Sequence, residues 1–234
     1  MNTRILYLLL LFVSSNISAM GLRSFVALPV EKGGVVVRLE NIYKTGANKD
    51  ILIAKMMYGI DAKQTILIGT PYMLNPTRSG GDLTLLYRYM FLQNDSKNGT
   101  SRLALLGGVI FPTTNNSSSA VKLGGVYTYF EKRDEIDMDI IYDKGLQDRA
   151  DSFKYDISWQ HRLFPVIRPD WGISSELNSV IELNGRYTQG ENITHQGTIG
   201  LQWVHPRWVL EGGYVKDLNN KHQEQYILSF RMNF

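Results

Sequence analysis

Charged residues stand at every second position along much of this chain, and that spacing is where its chemistry lies. Arg38 and Glu40, Asp82 and Arg88, Arg102, Lys122, Asp137 and Asp139 each alternate with apolar neighbours, as do Lys154, Asp156, Arg162, Glu176, Glu182, Arg186, Glu211 and Arg231. Ions of both signs gathered on one face suit two roles. They can screen solutes in a narrow pore, or they can fill a small lumen with salt bridges and close it. The acidic row Asp137, Asp139 and Asp143 is the most one-sided part. It can attract cations or pair with Lys154, Arg162 and Lys122 on adjacent strands.

Other chemistry finds less support. A serine hydrolase needs a base beside its nucleophile and a group to orient that base. His161 and Ser175 flank the turn 165–172 almost symmetrically, but the sequence gives their face no acidic or amide partner, so an interfacial histidine beside Trp159 is the expectation. His195, His205 and His222 lack the spacing of metal ligands, which predicts solvated rim or loop positions. The pairs Gly33-Gly34, Gly107-Gly108, Gly124-Gly125 and Gly212-Gly213 precede no helix, so they predict strand bends and tight packing rather than a nucleotide loop. Three Asn-X-Ser/Thr triplets, at Asn98, Asn116 and Asn192, match a glycosylation acceptor that a bacterial outer membrane leaves idle. The reading is of no enzyme, no metal and no cofactor.

The elements that position the charged row follow from its period. Alternation at two is the signature of a strand with unlike faces. Phe153, Tyr155, Ile157, Trp159 and Leu163 oppose Lys154, Asp156, Ser158, Gln160 and Arg162. At the end of the chain, Tyr226, Leu228, Phe230, Met232 and Phe234 oppose Gln225, Ser229, Arg231 and Asn233. About twelve such strands succeed one another, the three near 34–43, 51–60 and 65–73 being the least regular. Gly/Asn/Asp/Ser clusters separate them.

Composition agrees. Among 234 residues there are 13 Tyr, nine Phe, four Trp and 21 Gly but no Cys, and the net charge is +3. Disulfides and thiolate sites are thereby excluded, and nucleic acid is not an expected partner. Mean hydropathy of −0.17 is too low for a helical membrane bundle. Residues 1–19 read as a secretory signal peptide, with Arg4 ahead of the apolar run from Ile5 to Val13 and a small polar cleavage region ending at Ala19. Residues 20–32 then form a lead that either trails into the periplasm or folds into the lumen, and residues 33–234 form the barrel.

Threaded up and down with both ends on one side, the strands collect Trp159, Trp171, Trp203 and Trp208 near the end that carries the termini. Tyr72, Tyr142, Tyr155, Tyr187, Tyr214 and Tyr226 gather at the other. Two aromatic girdles around an aliphatic band are what lipid interfaces select. The charged rows then face inward, and the fold class is all-β: an antiparallel transmembrane β-barrel after a cleaved signal peptide, in a Gram-negative outer membrane.

Several segments, in order, resemble one family, the outer-membrane transporters grouped under the meta-pathway of phenol degradation. They include Ile68-Gly69-Thr70-Pro71-Tyr72, Gly80-Gly81-Asp82-Leu83, Phe111-Pro112-Thr113, Glu182-Leu183-Asn184-Gly185, Gly200-Leu201-Gln202-Trp203 and the run from Trp208 to Gly213. The resemblance covers roughly 65–234 and implies outer-membrane location and passage of small solutes, aromatic or hydrophobic compounds among them. It implies no catalytic residues. The final Phe234 resembles the C-terminal signature read by the barrel assembly machinery. A channel with a mixed-charge lumen is therefore the expected function, with a closed, side-chain-filled barrel of structural or adhesive role as the alternative.

Overall fold

The computed structural model describes residues 21–114, 117–168, 175–219 and 223–234. The expected signal peptide, Trp171, Asn116 and His222 lie outside them.

The described residues form strands and connections. In chain order the strands are β1 (Val35–Lys44), β2 (Lys49–Gly59), β3 (Gln64–Asn75), β4 (Ser79–Gly80), β5 (Leu83–Asp95), β6 (Thr100–Phe111) and β7 (Ala120–Glu131), followed by β8 (Asp134–Gly145), β9 (Ser152–Phe164), β10 (Glu176–Thr188), β11 (Thr194–His205), β12 (Trp208–Asp217) and β13 (Glu224–Asn233). The two-residue β4 only extends the hairpin beyond β3, so twelve strands span the structure. Each pairs antiparallel with its chain neighbours, and β1 pairs with β13 through Arg38↔Arg231 and Tyr43↔Tyr226 to close the ring. Closure leaves no sheet edge, and every spanning strand finds its hydrogen bonds within the barrel, as a bilayer requires.

The alternation places one row of each strand outside. Leu123, Ile140, Ile181, Ile199, Leu201 and Leu228 are each more than half exposed on that surface. Aromatic rings cluster at its two rims. At the rim where β1 begins and β13 ends, Trp208 stacks on His205 at 5.2 Å and meets Trp203 edge-on at 5.4 Å. At the opposite rim Tyr214 lies 5.5 Å from Tyr226. Water has no favourable interaction with so continuous an apolar belt, and lipid does.

The inside is not uniform. From β2 to β7 the inward row is mostly apolar: Met57, Leu67, Leu86, Leu106, Ile110 and Val126 are buried there. From β8 through β13 to β1 it is polar, with Asp137, Asp156, Asn184, Gln202, Glu211 and Arg231 equally buried.

Residues 21–30 occupy the space between these walls. Gly33, at φ 78°, turns the chain from this segment into β1. No strand ladder holds the segment; side chains do. Arg23 N–H donates to Glu182 at 3.2 Å, Phe25 N–H to Asp139 at 2.7 Å, Ala27 N–H to Thr128 at 2.9 Å and Val30 N–H to Thr65 at 3.0 Å. In return Arg38 donates to the Leu22 carbonyl at 2.8 Å and Arg88 to that of Val26 at 2.7 Å. These bonds satisfy backbone groups that burial would otherwise leave costly. Apolar side chains complete the fit. Ala27 packs with Met90, Ala104, Leu106, Val126 and Ile141, while Val26, Leu28 and Val30 pack with Met57, Leu67 and Leu86. Leu22 reaches Gly200 and Gly213, where any side chain larger than hydrogen would collide with it. The sequence leaves the place of this lead open; the structure puts residues 21–30 in the lumen.

Candidate functional site

Deep in the barrel the charged row forms a closed network on the polar wall. Arg38 bridges Glu211 at 2.7 Å and Glu40 at 3.5 Å, and donates to Ser229 at 2.9 Å. Ser229 passes a bond of 2.6 Å to Glu211, and Arg231 lies 3.9 Å from the same carboxylate. Nearby, Asp137 accepts from Thr128 at 2.6 Å and Gln160 at 2.9 Å. Glu182 accepts from Asn184 at 3.4 Å as well as from Arg23. Burial makes such pairs demanding, because each ion has left water and each remaining lone pair needs a donor.

The other expected residues sit higher or at the rims. Lys154 lies 3.0 Å from Asp156 and 3.4 Å from Asp139, and Arg186 lies 2.5 Å from Asp156. Lys122 pairs with Asp143 on the neighbouring strand. At the rim away from the chain ends, Asp82 meets Arg149 at 2.6 Å and Ser117 at 2.7 Å. Burial would raise this carboxyl, but hydrogen bonds from Ser117 and Arg149 outweigh it and hold it below the usual range. Toward the chain ends, Arg162 and Arg168 share Glu176, at 3.4 and 2.9 Å, and Arg102 donates to Gln93 at 3.3 Å. On the apolar wall, Arg88 donates to Val26 and, at 3.4 Å, to Thr65.

The acidic row thus divides in a way spacing does not reveal. Asp143 and Asp139 take lysines, as expected of Lys122 and Lys154. Asp137 takes neutral donors, and Arg162 turns to Glu176 instead.

The face of His161 needs a correction. The sequence shows it no acidic partner, yet Asp134 on β8 pairs with it in register, Oδ1 lying 2.8 Å from His161 Nδ1 and accepting from Trp159 at 3.0 Å. Among the described residues no hydroxyl is bonded to the His161 ring. Ser179, the register partner on β10, donates to the His161 backbone carbonyl at 3.3 Å. Asp134, His161 and Trp159 form a polar knot in the aromatic girdle. His195 is likewise a rim residue, 2.7 Å from the Tyr155 hydroxyl. Among the described residues no group of His and carboxylates is arranged to hold a metal ion.

Toward the rim away from the chain ends, the interior opens. Inward residues that are buried lower down, such as Met57 and Leu67, give way to half-buried Ile51, Ile53, Lys55, Pro71 and Met73 on β2 and β3. Lys154 and Arg186 are half-buried across the lumen. The half-buried Phe25 ring lies 4.8 Å beneath Lys154 Nζ. Together these residues shape a cup: apolar on β2–β3, cationic at Lys55 on one side and at Lys154 and Arg186 on the other, and floored by residues 21–30. Sequence reading found Lys154 and Arg186 but missed both Lys55 and the apolar side. Its signal was available in the runs Ile51-Leu52-Ile53-Ala54 and Thr65-Ile66-Leu67-Ile68, which are apolar on both faces.

The chain matches no family model, and no curated protein matches its sequence. Solved structures do match. The COG4313 outer membrane channel from Pseudomonas putida F1 superposes with a TM-score of 0.63 at 13% identity, covering 89% of this chain and 98% of that one. The NanC porin gives 0.57 at 10% identity, covering 84% and 98%. The KdgM porin gives 0.56 at 8% identity, covering 85% and 99%. The fold is that of outer-membrane porins. At such identities the likeness lies in the twelve-stranded architecture, and side chains must be argued from this chain alone.

Proposed function

We propose that this protein is an outer-membrane channel of a Gram-negative bacterium that admits small solutes, aromatic or hydrophobic compounds among them. The apolar belt and aromatic rims suit a bilayer. The rim where β1 begins and β13 ends, where most turns are short, faces the periplasm, and the cup faces outward. A signal peptide ending at Ala19 would deliver the chain, and the strand ending at Phe234 would present it to the barrel assembly machinery.

The observation that carries this reading is the cup and its floor. A pocket with one apolar wall and a few placed polar groups is the usual form of a small-molecule site. Its floor is held by side chains rather than by strand pairing, so residues 21–30 can shift without opening the barrel wall. The architecture supports a solute-carrying role as well: a KdgM porin, 9% identical, has been solved in complex with disordered oligogalacturonate.

The dense network around Arg38 and Glu211 favours the second reading, a filled barrel with a structural or adhesive role. Planar-bilayer recordings separate the two. The refolded chain from residue 20 is expected to pass little current, and a variant lacking residues 21–30 to pass a stable one. A truncated barrel that keeps its folded gel mobility yet stays silent would assign the protein to the second reading.

A further inference from the structure

We infer that the cup selects an organic anion with an apolar body of about one aromatic ring, its charged head beside Lys55 and its body over Ile53 and Met73. This rests on the channel reading and names the solute class.

Three cations border the cup, and in each of their ion pairs the cation is the member that reaches water. The Lys55 side chain is 37% exposed over a Glu40 that is 5% exposed. Lys154, at 23%, covers Asp139 and Asp156, both at 0%, and Arg186, at 28%, covers the same Asp156. The carboxylates are also occupied from below, Asp156 by Asn184 and Asp139 by the Phe25 N–H. Overall charge is nearly balanced, but in these pairs the ammonium or guanidinium, and not the carboxylate, faces the cup. Field strength falls with distance and with intervening water, so the accessible member of each pair sets the sign a ligand experiences. Lys55 and Lys154 stand on opposite sides of the lumen, on β2 and β9.

Lys55 has donors to spare. An ammonium carries three N–H groups, and among the described residues the only side-chain acceptor bonded to Lys55 is Glu40, at 3.0 Å. Room beside it is built into the register. Its partner on β3 is Gly69, whose absent side chain would start 3.4 Å from Lys55 Cγ. On the same face of β2, Ile53 and Ile51 follow at alternate positions toward the rim, opposite Pro71 and Met73. Charge, space and apolar surface therefore lie in sequence along one strand pair, and a carboxylate on a ring-sized apolar body fits that order.

The test is equilibrium dialysis of the refolded chain from residue 20 in detergent, with labelled benzoate, benzyl alcohol and benzylamine, each corrected for protein-free micelles. Benzoate is expected to bind about tenfold more tightly than benzyl alcohol, the scale of one water-screened charge contact, with benzylamine weakest. The paired change Lys55→Gln with Glu40→Gln, which leaves no unpaired ion, should bring benzoate down to benzyl alcohol and leave benzyl alcohol unchanged. Ile53→Ser should weaken both equally. Benzyl alcohol or benzylamine bound as tightly as benzoate would overturn the anion inference while sparing the channel reading. Binding of none of the three would overturn the cup as a solute site, and the inference with it.

Discussion

The two halves of the barrel interior are closed by different physics. From β2 to β7 the inward side chains are mostly apolar and meet the equally apolar Val26, Ala27, Leu28 and Val30. From β8 to β1 they are ions and amides that need a partner for each atom, and they receive Arg23 and the backbone N–H groups of Arg23 and Phe25. Apolar packing is tolerant of small changes in shape, whereas a buried ion is not tolerant of losing its counter-ion. The difference teaches that residues 21–30 are matched to the lumen wall by wall, and that the walls should respond unequally to similar substitutions.

The sharpest way to break this contrast is on the polar wall. Glu211→Leu would strand Arg38 and Arg231 without their shared carboxylate, and should lower unfolding free energy in urea by about 3–5 kcal/mol. At the seam between the walls, Thr128→Val removes the hydroxyl that accepts from Ala27 and donates to Asp137. It should lower stability by about 1–3 kcal/mol, the range for leaving buried polar groups unsatisfied, and speed amide exchange at Ala27. On the apolar wall, Ile110→Val should lower it by only about 0.5–1.5 kcal/mol. If the polar change proved no worse than this one, the asymmetry would be wrong.

The smallest expected effect lies outside both walls, in the loop between β8 and β9. The Lys144 ammonium and the Tyr142 hydroxyl, with the Gly145 N–H, hold the Asp151 carboxyl at about 2. Because its folded value lies below the ordinary 3.8, its contribution is fully present above that range and is lost as pH falls through about 2. Exchange in residues 146–151, corrected for intrinsic pH dependence, should accelerate only in that window.

What could be read from residues alone follows the same division. Strands with unlike faces, such as β9 and β13, announce themselves, because lipid and lumen demand different side chains at alternate positions. The strands β2 and β3 were placed close to their true bounds, but their inward residues were not, since Ile51, Ile53 and Leu67 face in with the same chemistry that Leu52, Ile66 and Ile68 show on the other face. Period two says that a strand exists; it identifies the inside only when the two faces differ. Residues 21–30 carry no period at all. Their place is fixed by partners far along the chain, Thr65, Thr128, Asp139 and Glu182, which no local pattern can reveal. The same is true of Asp134 beside His161, a contact made by register across two strands.

The most direct measurement uses the absence of cysteine from the whole chain. Single cysteines at Ile53, in the cup, and at Leu67, below the floor, can be challenged in intact cells with a thiol reagent that does not cross the outer membrane unaided. A cup open to the outside and closed beneath by residues 21–30 requires fast labelling at position 53 and none at position 67 until the segment is removed. Equal labelling at both sites, or labelling at 67 alone, would contradict it.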